Sequence, residues 1–170
     1  MLRALLALLT PVFLAFGAVA EADHIGAPVG AVLDGALERL EDGRMVSAEM
    51  SPETDEIVFY FGASWCPPCQ AFLPDLKAAH TQWQREGRPI ELVFVSADGS
   101  CEAMGDYIRR KRMPWMFIGC RKRDGLPQIK RLRGDALPGL VVVNREGAVV
   151  ESSYDALGGS LHRETLARIQ

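Results

Sequence analysis

Ile57-Val58-Phe59-Tyr60-Phe61 is an unbroken apolar run of β-favouring residues, and only four residues separate it from Cys66-Pro67-Pro68-Cys69. Such a run reads as a central strand covered on both faces. Beyond the cysteines, Phe72, Leu76, Ala79 and Trp83 recur at helical spacing. The chain must therefore turn from buried strand to helix at the cysteine pair, which narrows the fold to an α/β arrangement around a covered sheet. Pro74 lies inside this helix and is expected to kink it, and Gly87-Arg88-Pro89 ends it.

The remaining pattern extends that frame. Leu37–Leu40 and Arg44–Val46 flank Glu41-Asp42-Gly43 and read as two short strands around a turn. Ile90–Val95 is a second apolar strand, followed by a helix over about 101–111 that Met113-Pro114-Trp115 breaks, and by an extended segment over 115–118. A short helix is expected within 126–133 after Pro127. Leu140–Val143 is a third core strand, Asn144-Arg145-Glu146-Gly147 a hairpin turn, and Ala148–Glu151 its return. A closing helix covers 161–169. Strand, helix, strand requires a parallel crossover, and the hairpin adds antiparallel strands to the same sheet. The expected class is α/β, a mixed central sheet flanked by helices. Residues 21–35, rich in Gly and Ala, read as a loosely held lead-in.

Residues 1–20 are set apart from the fold. A charged start at Met1–Arg3, an apolar stretch over 5–16 and Ala18-Val19-Ala20 match a secretory leader cleaved after Ala20, leaving a domain over 21–170. The alternative is a retained anchor, against which Pro11 and the short apolar length argue. The expected location is periplasmic or secreted. There, cysteine pairs are structural or redox-active. The 170 residues, 48% hydrophobic and 24% charged, suffice for one core without disulfide staples.

The chemistry is expected at Cys66 and Cys69. A cysteine opening a helix meets unpaired N–H groups and the positive end of the helix dipole, which favour thiolate and lower its pKa from about 8.5 toward 7 or below. Cys66 is then the attacking thiol, and Cys69, one turn inside and less exposed, resolves the mixed disulfide. Pro67 and Pro68 supply no N–H where the first turn needs none, and stiffen the loop. A static disulfide and half of a zinc site are the competing readings. Zinc would need about four ligands, and neither Cys101 and Cys120 nor His24, His80 and His162 form a second close-spaced pair.

Phe61-Gly62-Ala63-Ser64-Trp65-Cys66-Pro67-Pro68-Cys69 resembles the active-site segment of the thioredoxin superfamily, nearest to its tryparedoxin and nucleoredoxin branch. Pro74, Met113-Pro114-Trp115 and Leu137-Pro138 fall where that branch carries its helix proline, a conserved segment and a cis-proline. The resemblance spans roughly residues 33–152. It implies a thioredoxin fold, no cofactor or metal, and a client chain bordered by Trp65, Pro67, Pro68, Leu137 and Pro138. Two departures stand out. Tyr60 takes the place of the buried carboxylate of thioredoxins proper, leaving the proton acceptor for Cys69 open, and Gly139 replaces a common Thr.

Other signals are weaker. Cys101 and Cys120 either form a second disulfide or remain buried thiols. Residues 109–133 hold ten Lys or Arg against Asp124 alone, which reads as a solvated face or as a surface for an acidic partner or anionic membrane. Trp83 and Trp115 read as core. The function expected is a monomeric, exported protein-disulfide reductase acting on protein disulfide or dithiol clients, supplied by a membrane electron donor, and not binding nucleic acid. A disulfide-inserting oxidase and a copper-carrying or chaperone module using the same thiols are the alternatives.

Overall fold

The computed structural model describes residues 24–169. The chain order is helix α1 (Val29–Leu33), strands β1 (Leu37–Glu41), β2 (Arg44–Ser47) and β3 (Glu56–Gly62), and helix α2 (Pro67–Arg85). Strand β4 (Ile90–Ser96), helix α3 (Cys101–Lys111), strand β5 (Met116–Ile118) and one-turn helices α4 (Cys120–Arg123) and α5 (Pro127–Lys130) follow. Strands β6 (Gly139–Asn144) and β7 (Val149–Ser152) and helix α6 (His162–Ile169) close the domain. The proposed leader and its cleavage point lie outside the described residues.

All seven strands form one mixed sheet, ordered β2-β1-β5-β4-β3-β6-β7. β3, β4 and β5 run parallel, so their C-terminal ends point the same way; β6 and β1 pair antiparallel on either side. Side chains on β3 alternate between faces as strand geometry requires. Val58 and Tyr60 join the core beneath α2, α3 and α6, while Ile57, Phe59 and Phe61 join the one beneath α1 and α5. Every one of these five residues is fully buried, which is why the run is apolar at each position. Trp83 and Trp115 are core residues.

Two expectations change. Residues 24–35 are not loosely held: Ile25 and Val29 N–H groups donate to Gly147 and Arg145 carbonyls at 2.8 and 3.0 Å, and Ile25, Val29 and Leu33 are buried. Their i, i+4 spacing places one apolar edge on the sheet, a signal diluted by the surrounding Gly and Ala. Helix α4 was not expected, and the helix expected within 126–133 is the single turn α5. Helix α2 carries Pro74 in its interior, as expected. It ends where Gly87 adopts a left-handed φ of 64° and Arg88 N–H reaches back to the Trp83 carbonyl at 3.0 Å. Among the described residues, no helix is long and apolar enough to cross a membrane.

Candidate active site

The end of β3 delivers the chain to the start of α2 through Ala63, Ser64 and Trp65. Cys66 is the N-cap of that 19-residue helix, and its sulfur accepts the Cys69 N–H at 3.1 Å. Because Pro67 and Pro68 have no N–H, Cys69 carries the first amide of the helix able to meet the sulfur. Cys66 and Cys69 are joined in a disulfide with their Cα atoms 5.3 Å apart. Cys69 is wholly buried. Cys66 is 4% exposed, more than its partner but not the open residue the sequence suggested. Ala63, Ala97 and Leu137 pack around the pair and cover it.

Trp65 projects from this collar with 64% of its surface exposed, and Pro67 and Pro68 are exposed beside it. The Leu137–Pro138 peptide is cis. Leu137 touches the cysteine cluster and Pro138 is buried next to it in sequence. The structure thus brings Trp65, Leu137 and both prolines of the motif to one end of the sheet. Gly139 follows immediately. A Cβ there would run into the Tyr154 hydroxyl and ring, and one at Gly134 would meet the same ring at 2.5 Å. Tyr154 therefore occupies the space that a threonine at 139 would need.

Sequence reasoning missed Asp98. This carboxylate is 2% exposed, yet one oxygen accepts the Ser64 N–H and hydroxyl at 3.0 and 2.7 Å, and the other accepts the Ser96 hydroxyl at 2.8 Å. It fixes the turn that carries Trp65 into Cys66. Gln70 holds the same turn from the helix side, donating to the Ser64 carbonyl at 2.9 Å. Arg123 braces the loop by donating to the Ser96 and Asp98 carbonyls, both at 2.9 Å. The available signal was positional: an acidic residue just past the end of a parallel core strand, where α/β sheets place their ligands.

Tyr60 lies beneath the helix start, with its hydroxyl 3.5 Å from the Cys69 carbonyl. Burial pushes its pKa far above the ordinary tyrosine range, so it stays protonated and cannot serve as the base for Cys69. Its hydroxyl also explains Gly62, since a Cβ at that position would sit 2.8 Å from it. Cys101 and Cys120 are joined in a second disulfide, Cα atoms 5.4 Å apart, between the starts of α3 and α4. Among the described residues, no three His, Cys, Asp or Glu side chains gather into a metal-binding group. The copper-carrying alternative would therefore rest on the two sulfurs alone.

A family model described as thioredoxin-like matches residues 55–149. The chain belongs to the thioredoxin-like family. Its relatives place it in the nucleoredoxin and tryparedoxin branch. Probable nucleoredoxin 1 of Arabidopsis thaliana is 36% identical over 115 residues, 66% of this chain and 19% of that protein. Nucleoredoxin of Danio rerio is 30% identical over 124 residues, 72% of this chain and 29% of that protein. The chain thus spans less than a third of these relatives. Tryparedoxin I from Crithidia fasciculata superimposes with a TM-score of 0.59 at 27% identity, covering 71% of this chain and 85% of that one. Tryparedoxin II from the same organism gives 0.61 at 25% identity, covering 79% and 82%. The sheet flanked by helices is the thioredoxin fold. In this thioredoxin-like chain, the close Cys66–Cys69 pair supports thiol–disulfide redox activity.

Proposed function

We propose that this protein reduces disulfides in protein clients, with Cys66 attacking and Cys69 resolving. The observation that carries the proposal is Cys66 as the N-cap of α2, its sulfur already accepting the Cys69 amide. In the reduced protein the same donor and the helix dipole favour a thiolate at Cys66. That thiolate attacks one client sulfur. A Cys66–client bond forms, the client S–S bond breaks, and the departing client thiolate takes a proton. Cys69, deprotonated, then attacks the Cys66 sulfur and releases the second client thiol. Two electrons pass to the client and the Cys66–Cys69 disulfide remains, to be reopened by an external dithiol or membrane electron donor. Trp65 and the Leu137–Pro138 segment border the client chain. The test is trapping: Cys69→Ser should accumulate client proteins as mixed disulfides on Cys66. If no client is trapped, the proposal fails.

We also propose that the protein acts outside the cytoplasm. Support comes from the leader pattern over residues 1–20 and from the second cysteine pair, which an oxidising compartment would keep bridged. Mass spectrometry of the mature protein should find Glu21 at the N-terminus; intact Met1 would overturn this.

A further inference from the structure

A pocket of about 190 Å³ opens beside the cysteines, on the sheet face opposite α2. Its floor is Phe61, Val95, Ile118 and Ile129, all at least nine-tenths buried as residues. The first three stand at the C-terminal ends of the parallel strands, the end that presents Cys66. Ala97 belongs to both places: it lines the pocket and packs against the cysteine cluster. The volume is below the roughly 300–1,000 Å³ of a cofactor or drug-sized ligand site. It suits one or two apolar side chains.

The rim is charged. Arg123, Lys130 and Arg133 line it with two carboxylates, Asp98 and Asp124. Asp98 is buried and accepts from Ser64 and Ser96, and Asp124 lies 3.9 Å from Arg123, so three cations face two carboxylates at the rim. Arg123 is itself committed to the Ser96 and Asp98 carbonyls. Lys130 and Arg133 are exposed and have no ion pair among the described residues. Arg121, Lys122 and Arg131 add positive charge within the same segment. An apolar floor with unanswered positive charge at its edge is complementary to a short peptide carrying an apolar side chain next to a carboxylate.

We propose that this pocket selects the client: it receives an apolar side chain near the client's cysteine, while Lys130 and Arg133 hold an adjacent Asp or Glu. The proposal rests on the disulfide-reductase reading and names its substrate class, an acidic peptide segment. The Cys101–Cys120 bond serves it indirectly. It ties the end of the 96–100 loop to the start of α4, and so holds the Arg123 brace in place.

The test compares two disulfide-linked peptides, one flanking its cysteine with Leu and Glu, the other with Leu and Lys. Two exposed ion pairs predict that kcat/KM favours the acidic peptide by about three- to tenfold at low salt, with the preference shrinking in salt. Lys130→Glu with Arg133→Glu should abolish or reverse the preference while leaving reduction of the small neutral disulfide 2,2′-dithiodipyridine unchanged. Equal rates for the two peptides would overturn the pocket, as would a preference that survives the double variant. So would a patch whose only charge-dependent ligand is an anionic phosphatidylserine vesicle. Failure to reduce dithiodipyridine would instead strike the reductase reading. In that case, the affinity of cysteine-to-serine versions of both peptides decides for or against the pocket, with the same ordering expected and equal affinities contradicting it.

Discussion

The two cysteine pairs make the same bond at the same end of the sheet, in different surroundings. Both begin at helix starts: Cys66 caps α2, Cys101 opens α3 and Cys120 opens α4. Position at a helix start alone does not distinguish the two pairs. The N-cap of α3 is occupied by Ser100, whose hydroxyl accepts the Ala103 N–H at 3.1 Å, and α4 is a single turn with little dipole to offer. At α2, the sulfur itself is the cap of a long helix. The surroundings follow suit. Trp65, the cis Leu137–Pro138 peptide and the Asp98-braced turn converge on Cys66–Cys69. Cys101–Cys120 instead ties together two helix starts whose cysteines are 19 positions apart. On the proposed function, the first pair opens in each turnover and the second stays closed.

The largest expected contrast is in activity. Cys66→Ser should abolish disulfide reduction in an insulin or client assay, because a hydroxyl is a far poorer nucleophile than a thiolate. Replacing Cys101 and Cys120 together by serine should leave turnover of a small disulfide within about twofold. It should cost about 3 kcal/mol in urea unfolding, the loop-closure value for a bridge of this span. Loss of activity in the double serine variant with stability intact would reverse the assignment.

Gly139→Thr tests the collar of the active pair. Its side chain must displace Tyr154, and overpacking of this kind costs about 1–3 kcal/mol. Client reduction should fall further than reduction of a small disulfide, as read by the two assays in parallel. Unchanged unfolding and turnover would mean that Tyr154 moves freely.

Acid should weaken the scaffold through one buried and one half-buried histidine. His80, 3% exposed and edge-on to Trp115 with ring centroids 5.5 Å apart, has its pKa lowered by burial. His162 is shifted the same way, chiefly by burial. Below the ordinary pKa of about 6.5 the unfolded chain binds these protons more readily, so stability present above that pH is lost as it falls further. Thermal unfolding across pH 7.5 to 5 should show the decline, and His80→Phe should flatten it. An unaltered slope in His80→Phe would contradict the assignment. The smallest effect belongs to Trp65→Ala. Its exposure limits the stability change to about 0.5 kcal/mol, while KM for a protein client should rise. A Trp65→Ala protein with unchanged KM would remove that side chain from the client surface.

How much was legible from sequence depends on whether a residue acts through its neighbours in sequence or in space. The β3 run, the helical spacing after Cys69 and the cysteine spacing are local patterns, and each appears in the fold as read. The core helix α1 was hidden because three apolar residues at 25, 29 and 33 are outnumbered by Gly and Ala. Asp98 had only its position after a core strand to mark it, because its partner Ser64 lies 34 positions away. Tyr154 and Gly139 form one feature only after β6 and the segment beyond β7 come together. The Cys101–Cys120 bond was undecidable for the same reason: spacing carries no distance across a sheet.

Mapping both pairs in one redox titration tests the central claim most directly. The folded protein is equilibrated in graded glutathione or dithiol buffers, its free thiols are alkylated, and each cysteine is quantified by peptide mass spectrometry. The Cys66–Cys69 pair should reduce first, with a potential near the roughly −270 mV of thioredoxin, while Cys101–Cys120 stays bridged to below about −300 mV. If Cys101–Cys120 opened first, or if Cys66–Cys69 sat near the roughly −120 mV of a strong oxidant, the division of roles or the reductive direction would be wrong.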